Sequence, residues 1–147
     1  MTSAGRPDFT GLWEANLGKS LLRGRQARRI LVKIEHDEPR LVQMIFMSYV
    51  DGAEERLGFA YTTDGERSMN SIRGLACETR ARWDGEELVI ESSMKTPDRT
   101  FHFKDHWSLS DAGRTLTMAH PDDDLAGQIS VLEKAPPGAA TIFSEPQ

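Results

Sequence analysis

Three Asp-Gly pairs punctuate the middle of the chain: Asp51-Gly52, Asp64-Gly65 and Asp84-Gly85. Asp111-Ala112-Gly113 adds a looser fourth. Asp-Gly supplies the positive φ angles of a tight hairpin turn. Asp37-Glu38-Pro39-Arg40 is a further turn. Between these turns the residues alternate apolar and polar with period two, the period of a strand. A chain punctuated in this way is committed to short antiparallel hairpins.

The intervals give the strands in order. Phe9 to Ala15 is the first. Arg29 to His36 places Ile30, Val32 and Ile34 on one face, and Leu41 to Val50 is rich in large apolar residues on both faces. Glu55 to Tyr61 aligns Leu57, Phe59 and Tyr61, while Arg67 to Arg73 is a weak strand or a loop. Ala76 to Trp83 sets Cys77, Thr79, Ala81 and Trp83 against Glu78, Arg80 and Arg82. Glu86 to Met94 aligns Leu88, Ile90, Ser92 and Met94. Thr100 to Leu109 aligns Phe101, Phe103, Trp107 and Leu109. Arg114 to His120 aligns Leu116 and Met118, and Gln128 to Lys134 is last. The expectation is nine or ten antiparallel strands. Only residues 16–28 break the pattern, reading as one or two helical turns or a long loop. The proline-rich residues 135–147 read as an irregular tail.

A meander with one buried face either closes as an up-and-down barrel or splits into two packed sheets. Closure removes the unpaired edges that invite aggregation. A barrel of about eight or more strands has room for one small ligand. The fold class expected is therefore all-β, an antiparallel up-and-down barrel of about eight to ten strands. At 147 residues, with 38% hydrophobic and 28% charged, the chain makes a single globular domain over 1–147, with the barrel at 8–134.

The opening Asp8-Phe9-Thr10-Gly11-Leu12-Trp13 carries Gly-x-Trp on the first strand. Further along stand Ile34-Glu35-His36, Trp83-Asp84-Gly85 leading into Glu86 to Ser92, Trp107-Ser108-Leu109-Ser110 and Arg114-Thr115-Leu116-Thr117. This ordered set resembles small bacterial lipocalin-like proteins of the calycin superfamily. The resemblance implies a lipocalin-like barrel and a habit of holding apolar ligands, and it carries no catalytic motif. Members of that family usually have a secretion leader. Here the N-terminus MTSAGRPDF lacks the apolar core of one, so the chain as written reads as cytoplasmic, and as secreted if a leader has been removed.

Face assignment filters the residues able to do chemistry. If Phe103 and Trp107 point inward, Asp105 between them does too. A carboxylate beside large aromatics is poorly solvated, which suits a general acid or base. By the same period His36 continues Ile30, Val32 and Ile34; His120 continues Leu116 and Met118; Tyr61 continues Leu57 and Phe59, with Glu55 at the other end of that strand. Asp105, His36, His120 and Tyr61 are the candidate catalytic residues. Phe59, Met94, Phe101, Phe103, Trp107 and Met118 are the candidate ligand-binding wall. Each has a plainer reading. His36 and His120 sit at strand ends where rim residues meet solvent. Asp105 fits a structural hydrogen bond or an ion pair with an Arg. Tyr61 fits a core tyrosine with its hydroxyl satisfied.

Other features read as structural. His102 and His106 share a polar face with Lys104, which disfavours a metal. Asp122-Asp123-Asp124 lacks the Gly and terminal Glu of a calcium loop. Lys19, Arg23, Arg25, Arg28 and Arg29 read as a solvated face, and Cys77 as a core thiol. There is no Gly-rich phosphate loop, Gly-x-Ser-x-Gly or Cys-x-x-Cys. No metal or cofactor is expected. The net charge of −5 argues against a nucleic-acid partner, and no apolar run is long enough for a membrane span. A homodimer stays open. Two functions follow: cofactor-independent acid/base chemistry of the lyase, isomerase, hydratase or cyclase type on a small hydrophobic or aromatic molecule, or non-catalytic carriage of such a molecule.

Overall fold

The computed structural model describes residues 7–22, 24, 26–120 and 127–144. Asp122, Asp123 and Asp124, together with Arg23 and Arg25 of the basic run, lie outside the described residues. The chain forms β1 (Gly11–Ala15), β2 (Ala27–Asp37), β3 (Arg40–Tyr49), β4 (Glu54–Thr62), β5 (Ser68–Ile72), β6 (Leu75–Asp84), β7 (Glu87–Lys95), β8 (Thr100–Ser110), β9 (Thr115–His120) and β10 (Gln128–Lys134). A 3-10 turn over Pro137–Ala140 and a one-turn helix, α1 (Thr141–Ser144), follow.

All ten strands belong to one antiparallel sheet in the order β4-β3-β2-β1-β10-β9-β8-β7-β6-β5. The first strand pairs with the last, Trp13 opposite Lys134, so the meander curls back on itself. Only β4 and β5 fail to pair as a ladder. There the Asn70 side chain stands in for a strand: the Ala60 N–H donates to Asn70 Oδ1 at 2.9 Å, and Asn70 Nδ2 donates to the Ala60 carbonyl at 3.1 Å. The result is a nearly closed barrel.

Asp51-Gly52 and Asp84-Gly85 make the β3–β4 and β6–β7 hairpin turns, whereas Asp64-Gly65 turns the chain between β4 and β5, which do not pair; in all three only the glycine takes positive φ, +92° at Gly52, +86° at Gly65 and +65° at Gly85. In the 111–113 turn Asp111 and Ala112 share that conformation with Gly113. Residues 16–28 contain no helix among those described. A turn at 17–19 leads to a single bridge between Leu21 and Ile129. The weak segment at 67–73 contains β5, whose Ile72 is buried.

Interior side chains stack in layers two residues apart, as the strand period requires. Trp13, Ile34, Leu41, Leu88, Trp107 and Leu116 fill one end completely. Phe9 caps them, its ring stacked on His36 and Trp83 and edge-on to Trp107. Trp13 Nε1 donates to the Phe9 carbonyl at 3.0 Å, so the indole loses its water without losing its hydrogen bond. The apolar outer faces of β2 and β3 have their own explanation. Phe46 and Leu31 lie beneath Ala139, Ile142 and Phe143 of the C-terminal segment. Within the tail, Pro137–Ala140 and Thr141–Ser144 form a short ordered cover over those outward apolar residues, which need burial.

Candidate functional site

Above the packed end the barrel is hollow. A cavity of about 640 Å³ opens where the strand register moves past the large core residues. Ile30, Ile45, Leu57, Phe59, Ile90 and Phe103 supply much of its apolar wall. Polar groups converge low on that wall, each two residues along its strand from a core residue: Gln43 after Leu41, and Asp105 before Trp107.

The Tyr61 hydroxyl donates to Gln43 Oε1 at 3.2 Å. Burial pushes its pKa well above the phenol value, and the nearby Asp105 charge pushes it further. Asp105 Oδ2 accepts from Trp107 Nε1 at 3.3 Å. His120 Nε2 lies against Asp105 Oδ1 in an ion-pair contact that does not meet hydrogen-bond geometry. His120 comes from the end of β9 and Asp105 from the middle of β8, neighbouring antiparallel strands. Asp105, His120, Tyr61 and Gln43 therefore form one polar cluster on a wall that is mainly apolar. Nearer the mouth, Arg73 Nη2 donates to Glu55 Oε1 at 2.7 Å, with Arg73 Nε in contact with the other oxygen. The Tyr49 hydroxyl also donates to Glu55 Oε1, at 2.8 Å. The guanidinium is thereby committed to a carboxylate.

The structure thus brings together three of the four residues marked for acid/base work: Asp105, His120 and Tyr61 line the cavity. His36 is placed elsewhere, which corrects the expectation that grouped it with them. Its side chain is 2% exposed at the filled end, with Nδ1 accepting from the Phe9 N–H at 3.1 Å and Nε2 against Glu38. The β2 face does continue inward to His36, but it passes behind Ile34 and into the aromatic cap. There Glu38 accepts from Thr63 Oγ1 at 2.8 Å and from Trp83 Nε1 at 3.1 Å, a half-buried polar knot.

Of the aromatic and methionine residues marked for ligand contact, Phe59, Phe103, Met94 and Met118 line the cavity. Trp107 is fully buried in the floor and Phe101 sits outside the lining, stacked on Phe103 under the Arg99 guanidinium. Gln43 was missed by sequence reading, although its period-two place between Leu41 and Ile45 marks it as interior. The Arg73–Glu55 pair joins β4 to the turn after β5, a relation no local pattern encodes. Cys77 is buried and lines the cavity, with Sγ 3.8 Å from Thr79 Oγ1. His106 faces outward onto Glu87, at 2.9 Å. Among the described residues no three His, Cys, Asp or Glu side chains gather as metal ligands, and no helix is long and apolar enough to cross a membrane.

No family model matches the sequence, and neither does any curated protein. Solved structures do match the fold. The chain is similar to secretory abundant heat soluble protein 4 from Ramazzottius varieornatus, at a TM-score of 0.58 and 14% identity over 87% of this chain and 95% of that one.

Proposed function

We propose that the barrel takes up a small, mainly apolar molecule in its cavity. The observation that carries this reading is the cavity itself: about 640 Å³, walled mainly by aliphatic and aromatic side chains, with the Asp105–His120–Tyr61–Gln43 cluster on one side and the Glu55–Arg73 pair on another. Ligand sites commonly enclose about 300–1,000 Å³ and combine apolar walls with a few converging polar groups. A well-packed core has no room of this kind. The likeness to another solved barrel supports the architecture, and the binding reading rests on the cavity.

The test is titration with N-phenyl-1-naphthylamine, a neutral apolar fluorophore. Saturable binding at one site is expected, weakened about 10-fold or more by Leu57→Trp, which adds bulk inside the cavity. Absence of saturable binding, or binding indifferent to the added bulk, overturns the reading.

A second reading is supported by one contact, that of His120 Nε2 with Asp105 Oδ1 on the cavity wall. A carboxylate that orients an imidazole beside a water-poor pocket is equipped to move a proton. On this reading the barrel catalyses a cofactor-independent isomerisation, cyclisation, hydration or elimination. Asp105 orients His120 and His120 transfers the proton.

A further inference from the structure

We infer that Gln43 is the polar contact of the bound molecule, its side-chain Nε2 donating to the uncharged carbonyl oxygen of an otherwise apolar ligand such as a ketone or an ester; this deepens the binding reading above and rests on it.

Gln43 is 7% exposed and lines the cavity. The two ends of its amide differ. Oε1 accepts from the Tyr61 hydroxyl at 3.2 Å, whereas Nε2 donates to no acceptor among the described residues. That nitrogen is not sealed among protein atoms, and the space beside it is the cavity. Tyr61 decides which end is which. Its pKa is pushed well above the phenol value by burial and then by the Asp105 charge, so the hydroxyl keeps its proton. Gln43 Oε1 is the acceptor of that proton. Turning the amide over would set N–H against O–H and leave a buried phenol proton without a partner. Tyr61 is thus a positioning residue that aims the amide nitrogen at the hollow.

The other buried polar side chains of the wall are engaged among themselves. Thr79 Oγ1 lies 3.3 Å from Ser92 Oγ, the Tyr49 hydroxyl donates to Glu55, and His120 rests on Asp105. The Gln43 amide keeps two N–H donors to offer, and a carbonyl oxygen answers them at a small desolvation cost. An ionised carboxylate would give up far more hydration for a neutral donor close to the Asp105 charge. Phe59 stands opposite Gln43 across the β3–β4 ladder, and Ile45 follows two residues on, so apolar surface flanks the donor and receives the body of the ligand.

Three ligands of one shape test this by calorimetry on the full chain: 2-acetylnaphthalene, its alkene isostere 2-isopropenylnaphthalene, and 2-naphthoate. Gln43→Met keeps the length of the side chain and a weak acceptor for Tyr61 while removing the donors. The ketone is expected to bind about 5-fold more weakly to this variant, the scale of one neutral hydrogen bond, and the alkene to change by less than about twofold. The native protein is expected to bind 2-naphthoate about 10-fold or more weakly than the ketone. The infrared carbonyl stretch of bound, carbon-13-labelled 2-acetylnaphthalene should lie below its frequency in hexane, and return towards it in Gln43→Met. Equal losses for ketone and alkene, or a lowered stretch that the variant leaves unchanged, would take the carbonyl away from Gln43. Naphthoate binding as tight as the ketone would overturn the restriction to uncharged ligands. If neither ketone nor alkene binds the native protein, the binding reading itself fails. Should Gln43→Met not fold, the native-protein spectrum decides: a stretch at the hexane frequency overturns the inference.

Discussion

Asn70 of β5 and Ala60 of β4 exchange two hydrogen bonds, side-chain amide to backbone, at the one place where neighbouring strands of the described sheet do not form a ladder. The amide imitates a peptide group and clasps the seam. Both bonds are exposed, so their worth is about 1 kcal/mol. Asn70→Ala is expected to cost about that much in chemical unfolding and to speed exchange of the Ala60 amide about 10-fold through local opening. Hydrogen exchange followed by NMR checks this. An unchanged Ala60 rate would mean that the seam is held by other contacts.

Trp13 is fully buried in the filled end of the barrel, its indole N–H satisfied by Phe9. Trp13→Ala is expected to destabilise the fold by about 3–5 kcal/mol, the usual cost of deleting a buried large aromatic. A urea midpoint shift equivalent to less than about 1 kcal/mol would contradict this packing.

Much of that architecture is legible in the chain. The Asp-Gly turns and period-two runs give the strands, and the face of Phe103, Asp105 and Trp107 follows from the same alternation. What the alternation does not give is depth. His36 and His120 both end inward-facing runs, yet one is sealed behind Phe9 and the other reaches open space. The difference lies in where the large side chains of other strands fill the barrel, which is a tertiary property. Likewise, the outward Phe46 and Leu31 are intelligible only once the C-terminal segment lies over them.

The Glu38 knot makes a pH-dependent contribution. Burial raises the Glu38 pKa, but hydrogen bonds from His36, Thr63 and Trp83 outweigh it and hold the carboxyl below its usual value. A carboxylate with a lowered folded-state pKa stabilises the fold above its unfolded value, and that stabilisation is lost as pH falls through the lower one. Asp8 and Asp64 are lowered too, so the comparison has to be differential. Unfolding free energy measured from about pH 6 to pH 3 should fall more steeply for the native protein than for Glu38→Gln. Parallel curves would remove Glu38 from the account.

If the cavity is also a reaction site, Asp105→Asn and His120→Gln are each expected to lower turnover about 100-fold or more while leaving the fold intact by circular dichroism. The two losses combined should fall well short of their product, because both residues serve one proton transfer. Full additivity would indicate that they do not act as a pair.

The account depends most directly on the hollow part of the barrel being a binding site. Methyl and amide NMR spectra recorded during titration with N-phenyl-1-naphthylamine locate the ligand residue by residue. Saturable shifts are expected at Ile45, Leu57, Ile90 and Leu132, which line the cavity, with Leu31 under the C-terminal cover left unmoved. Shifts confined to Leu31 and its neighbours, or no saturable shifts at all, would contradict it.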